Sequence, residues 1–113
     1  MSDCLFCRIV GGEIPAQIVD STDEAVVVRD VNPQAPAHAL VIPRRHATDL
    51  GDFVVSAHEG EVGRLFALAA KTGRAAGGEG YRLVVNEGTD GGQTVFHLHV
   101  HVLAGRPMRW PPG

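Results

Sequence analysis

Long apolar runs are missing from this 113-residue chain. None approaches the ~18–20 residues that a membrane-spanning helix requires, so no such helix and no membrane partner are expected. A basic excess is missing too. Ten Lys and Arg stand against thirteen Asp and Glu, for a formal charge of −3. That argues against a nucleic acid gripped through a broad cationic surface. Cysteine is scarce: two residues, Cys4 and Cys7, are too few for a disulfide scaffold. The opening residues MSDCLFCRIVGG lack the basic region of a secretion signal, so the reading is cytoplasmic. Internal repeats, low-complexity tracts and an interdomain linker are also wanting. What is present is ordinary: 44% hydrophobic and 20% charged residues, the make-up of a packed rather than a disordered chain. One domain over residues 1–113 is expected, ending in an irregular tail at 105–113. Burial at this size is modest, roughly two-thirds of the unfolded surface, so dimerisation would help.

Element signals run in a readable order. Residues 3–10 predict a short helix with Asp3 as cap, Leu5, Phe6 and Ile9 on its apolar side, and Gly11-Gly12 as its stop. Segments 17–20 and 24–29 read as strands, and His38 to Pro43 as a third that a proline ends. The one clear helix carries Val62, Leu65, Phe66, Ala69 and Ala70 at i, i+3, i+4, i+7 and i+8, and Gly77-Gly78 closes it. Strands at 81–86 and 94–103 follow. The fold class expected is α+β: a mainly antiparallel five-stranded sheet with one long helix and a short N-terminal helix.

Six histidines are many for this length, and three fall within five positions: His97, His99 and His101. Alternation with Leu98, Val100 and Val102 puts the apolar side chains on one face of a strand and the imidazoles on the other. A row of imidazoles suits either metal ligation or nucleophilic attack on phosphorus, where an unprotonated ring nitrogen is reactive near neutral pH. The glycine-rich segment ahead of them, residues 86–94, lets main-chain N–H groups approach an anion, with Gln93 and Thr94 adding side-chain donors. It lacks G-K-[ST] and is no P-loop, so Mg²⁺-assisted phosphoryl transfer is not implied. Asp30, at a strand end, could accept hydrogen bonds from a ribose diol or simply serve its turn.

His97-Leu98-His99-Val100-His101-Val102-Leu103 resembles the histidine-triad signature. The stretches DVNPQAPAHALVIPRRH, GYRLVVNEGTDGG and the terminal GRPMRWPPG resemble the Hint-type branch of purine nucleoside phosphoramidases. The resemblance implies hydrolysis of purine nucleoside 5′-phosphoramidates, and of acyl-adenylate-like substrates, to the nucleoside monophosphate. It implies His99 as the nucleophile that is transiently nucleotidylated, His101 as a phosphate contact, and His38 in support of them. Asn86, Gly92, Gln93 and Thr94 would contact phosphate or leaving group, and Asp30 the ribose. Leu5, Phe6, Ile9, Val31 and Leu40 would wall the purine. It also implies a homodimer with a continuous sheet, the tail reaching toward the partner's site.

Cys4-x-x-Cys7 resembles half of the zinc site of bacterial relatives, with His46 and His97 as the implied partners in a structural Zn²⁺ site. Two small buried thiols on a helix are the plain alternative. A thioredoxin-like role lacks its βαβ context. His58 reads as a surface residue, and Trp110 as a packing, dimer or substrate-edge contact. Two further functions stay open at this point. One is a hydrolase with His97, His99 and His101 on a catalytic metal and Glu87 as base. The other is a non-catalytic nucleotide-binding or scaffold protein.

Overall fold

β-branched segments punctuated by turn residues become five strands: β1 (Ile18–Ser21), β2 (Ala25–Arg29), β3 (Ala37–Pro43), β4 (Tyr81–Val84) and β5 (Val100–Ala104). The computed structural model describes residues 3–113. The strands pair antiparallel throughout, in the order β1-β2-β3-β5-β4. The fold class is the one expected, α+β with an open five-stranded sheet.

Among the described residues the helices are three: α1 (Leu5–Val10), α2 (Leu50–Ser56) and α3 (Glu61–Ala75). The sequence reading missed α2. Asp49 caps it by accepting the Asp52 N–H at 2.8 Å, and Phe53 is its only buried anchor. A second correction concerns α1: its cap is Cys4, whose Sγ accepts the Cys7 N–H at 3.3 Å, in place of Asp3. Leu68 and Gly73 join Leu65 and Ala69 on the buried face of α3, while Val62 and Phe66 lie at its margin. A side chain at Gly73 would run into the Tyr81 ring.

Strand alternation gives the sheet two unlike faces. Val27, Val41, Val100 and Val102 pack with α2 and α3 through Phe53, Leu65 and Ala69. On the other face Val26, Val28, Leu40 and Ile42 pack against Phe6 of α1. His38 and His101 project on this α1 side, because His101 pairs with Leu40 and His38 with Leu103. Beyond β3, Arg45 bonds the buried Glu61 carboxylate with Nη2 at 3.0 Å and Ser56 Oγ at 2.8 Å, fixing the chain between β3 and α2. Among the described residues no helix is long and apolar enough to cross a membrane.

The last strand is shorter than the alternation predicts. It starts at Val100, not at 94, because the Leu98 N–H bonds the Ala47 carbonyl at 2.8 Å instead of a neighbouring strand. β4 likewise ends at Val84 rather than 86. Of the three triad histidines only His101 lies in a ladder.

Candidate functional site

The three imidazoles divide between two clusters. His97 is fully buried, and its Nε2–H donates to the Pro43 carbonyl at 2.8 Å. A carbonyl can only accept, so the proton sits on Nε2 and the lone pair on Nδ1. That lone pair faces Cys4 Sγ at 3.2 Å, Cys7 Sγ at 3.4 Å and His46 Nδ1 at 3.1 Å. Cys7 Sγ is also 3.4 Å from His46 Nδ1. Four ligand atoms thus converge from α1, the end of β3 and the triad segment, a set that could hold a metal ion. Burial lowers the His97 pKa, which keeps the ring neutral as ligation requires, with the Pro43 hydrogen bond opposing.

The second cluster starts on the main chain. The Gln34 N–H donates to His38 Nδ1 at 3.0 Å, so the His38 proton is on Nε2. That Nε2 lies 2.9 Å from His101 Nδ1 and 3.4 Å from Asp30 Oδ2. His101 Nδ1 is therefore the acceptor, and its own proton is carried on Nε2. Asp30 Oδ1 takes the Asn32 N–H at 2.8 Å, so this carboxylate is half spent on its turn and half on His38. Burial, helped by the His99 and His38 rings, pushes the His101 pKa down to about 4, against the pull of Asp30. Burial lowers His38 as well, again opposed by Asp30. Both rings are neutral at pH 7. Asp30, His38 and His101 also meet closely enough for a cation. However, Nε2 of His38 holds a proton where a metal would need a lone pair.

His99 stands between the clusters, with the Phe6 ring edge-on at 4.8 Å and the His101 ring at 5.0 Å. Its Nδ1–H donates to the His97 carbonyl at 2.9 Å, which puts the lone pair on Nε2. The one buried side-chain nitrogen or oxygen without a partner among the described residues is Arg8 Nε. Nε2 of His99 has no hydrogen-bond partner among the described residues and is not wholly buried, although the residue is only 8% exposed. His97, His99 and His101 do not aim at a common point, so the three do not form one catalytic metal site.

The loop at 86–94 holds its own shape. The Gly92 N–H is used on Thr89 O at 3.0 Å and the Gln93 N–H on Gly88 O at 3.0 Å. Gly92 sits at φ 88°, a left-handed conformation suited to glycine, beside the Asn86 carboxamide. Asn86 lies two residues past the end of β4, whose last ladder pair is Val84↔His101. The Asn86 side chain and the Thr94 amide and hydroxyl make no hydrogen bond among the described residues. Gln93 differs from expectation. Its side chain is buried and fully engaged with Gly88, Thr48 and Val95, so it has no donor to spare for an anion. Glu87 bonds the Gly51 N–H at 2.8 Å, at the start of α2, rather than facing the histidines as a base. Of the residues expected around a purine, Phe6 and Leu40 are core, Ile9 is half-buried, and Leu5 and Val31 reach the surface, Val31 completely. His58 is exposed, and so is Trp110. Sequence reasoning overlooked Arg45, Thr48 and Gln34: Gln34 acts within its own turn, whereas Arg45 and Thr48 act through partners distant in the chain, Glu61 and Gln93.

Against known proteins, residues 11–108 match the model of the HIT domain. A HIT-like protein of Synechococcus elongatus is 46% identical, with 98% of this chain and 97% of that protein covered. The crystal structure of a HIT family hydrolase from Legionella pneumophila superposes with a TM-score of 0.89 at 41% identity, covering 98% of this chain and all of that one. A zinc-bound histidine triad family protein from Mycobacterium smegmatis gives 0.82 at 32% identity, over 92% and 76% of the two chains. An open antiparallel sheet with its imidazoles gathered on one side defines the class, and this chain belongs to the HIT domain family.

The depressed His101 pKa has a definite sign for stability. The unfolded ring takes its proton near pH 6.5, and the folded one only near 4. Protons in that window therefore favour unfolding, so this contribution is fully present above 6.5 and lost as pH falls. The melting temperature should drop between pH 6.5 and 4, and less steeply in His101→Gln. Parallel Tm–pH curves for the two proteins would contradict the assignment.

Proposed function

We propose that this protein is a nucleotide hydrolase that cleaves purine nucleoside 5′-phosphoramidates, and acyl-adenylate-like substrates, through a nucleotidyl-His99 intermediate. The observation that carries the reading is the orientation of His99: its proton is committed to a main-chain carbonyl and its Nε2 lone pair is left open. Attack by Nε2 forms a nitrogen–phosphorus bond as the bond to the leaving amine breaks, the amine nitrogen taking a proton from solvent that the hydrolysis step gives back. Water then attacks the same phosphorus, releases the nucleoside monophosphate and returns the free imidazole. Two easier steps replace one hard one.

The Nε2–H of His101, the Asn86 carboxamide and the Thr94 amide and hydroxyl are the donors for the phosphoryl oxygens. Each well-aimed donor would contribute on the order of 3 kcal/mol to the transition state. The neutral state of His101 keeps it a donor without adding a charge that would have to be desolvated. Asp30 would take the ribose hydroxyls with its remaining lone pairs, and the exposed Val31 and Leu5 with the half-buried Ile9 would meet the base. The comparison with a protein named HIT family hydrolase supports the reaction class. Turnover of an adenosine phosphoramidate should fall at least a thousandfold in His99→Asn while AMP still binds. A variant that keeps its rate removes the nucleophile, and AMP binding without turnover by the parent makes the protein a nucleotide-binding module.

Cys4, Cys7, His46 and His97 would hold a structural Zn²⁺. In a tetrahedral zinc site with these donors the ligand atoms lie about 3.3–3.8 Å apart. The contacts of 3.1–3.4 Å lie at or just inside that spacing, and the donor set suits the metal. The ion's chemistry here is structural, tying α1 to the triad segment. At six residues α1 is far below the ~12–15 that hold a helix in isolation, so it depends on such ties. About one zinc per chain is expected by elemental analysis, with a loss of several degrees in Tm after chelation that Cys4→Ser reproduces. Metal-free protein with an unchanged Tm would dismiss the ion.

A homodimer fits the edge position of β4, whose outer hydrogen-bonding groups meet no strand, and the 84% exposure of Trp110 in the tail. Sedimentation at twice the 12.0 kDa chain mass is expected; a 12.0 kDa species would refute it.

A further inference from the structure

Gln93 takes no part in the chemistry above, yet it is the one buried residue between 86 and 96, at 4% exposure. Its amide bonds in three directions. Oε1 accepts the Gly88 N–H at 2.9 Å, near the start of the loop. Nε2 donates to Val95 O at 3.1 Å, just past its end, and to Thr48 O at 2.7 Å, on the segment that leads from His46 into α2. Its main-chain N–H closes the loop a second time on Gly88 O. Two neighbouring bonds reinforce the same junction: Glu87 Oε1 with the Gly51 N–H, and the Leu98 N–H with Ala47 O.

A loop with three glycines has more conformations to lose than most, and its two unspent donor groups, Asn86 and Thr94, lie on either side of that glycine-rich stretch. An anion is gripped by both only if their spacing is fixed beforehand. The geometry points to Gln93 as a positioning residue: a buried amide clip that closes the loop and registers it against the His46–α2 segment, so that Asn86 and Thr94 face a phosphate together. This rests on the reading of residues 86–94 as the phosphate site. The clip touches no substrate; it acts by spending all its bonds inside the protein.

Gln93→Met is the test, since it keeps the buried volume and removes all three side-chain bonds. Gln93→Glu is the companion, because it keeps the acceptor toward Gly88 but faces the Thr48 and Val95 carbonyls with a carboxylate. Calorimetry with AMP and with adenosine, at a temperature well below each Tm, separates phosphate grip from general damage. The expected result is a loss of tenfold or more in AMP affinity with adenosine affinity unchanged. kcat/KM for an adenosine phosphoramidate should fall by at least the same factor, since the same donors serve the transition state. Amide hydrogen exchange at Gly88 and at residue 93 should speed up in Gln93→Met, whatever ligand is used. AMP affinity equal to the parent's, an equal loss for adenosine, or unchanged exchange would each overturn the clip. A parent that binds neither AMP nor inorganic phosphate would instead remove the phosphate site itself, and the clip's purpose with it.

Discussion

Main-chain carbonyls decide which ring nitrogens in this protein can react. Pro43 O fixes the His97 proton on Nε2, and His97 O fixes the His99 proton on Nδ1. The Gln34 amide does the converse for His38, whose Nε2–H then sets His101. Four imidazoles that could each exist as either tautomer are thereby held in one arrangement. Without these backbone partners, nothing would keep the His99 proton off Nε2, and nothing would keep a His97 donor from turning toward two thiols. The sheet, the turn at 30–34 and the chain leaving β3 all serve to bring those carbonyls and amides to the rings.

Burial completes the effect. A charged imidazole on the α1 face would pay heavily for desolvation, and the low pKa of His101 records that cost. Neutral rings can bond to each other and accept or donate without counter-ions. The arrangement is densest where the two clusters approach, with Phe6 packed edge-on against both His97 and His99. His99, touching His101 on one side and Phe6 on another, lies between the thiol-bearing cluster and the carboxylate-bearing one.

Much of this was legible in the sequence. The sheet was readable because valine and isoleucine cluster between turn residues, and α3 because its apolar positions recur every three to four residues. The chemical players stood out because three imidazoles at alternate positions have few structural uses. Other features could not be read. Val54 and Val55 point outward on α2, so its periodicity is hidden, and only the Asp49–Asp52 capping pair betrays it. Alternation through residues 94–103 implied a longer strand, but a bond from Leu98 to Ala47, fifty-one residues away, withdraws the first part from the ladder. The donors of Gln93 were visible as types; their direction depended on Thr48, far off in the chain. Residue type reveals capacity, and long-range partners assign it.

His97 answers to two masters through different parts of itself. Its ring belongs to the thiol cluster, while its carbonyl belongs to His99. Every amino acid carries the same carbonyl, so an evolving lineage could discard both cysteines and then change the side chain at this position while the nucleophile kept its bearing. The family match runs over residues 11–108 and so begins beyond both thiols.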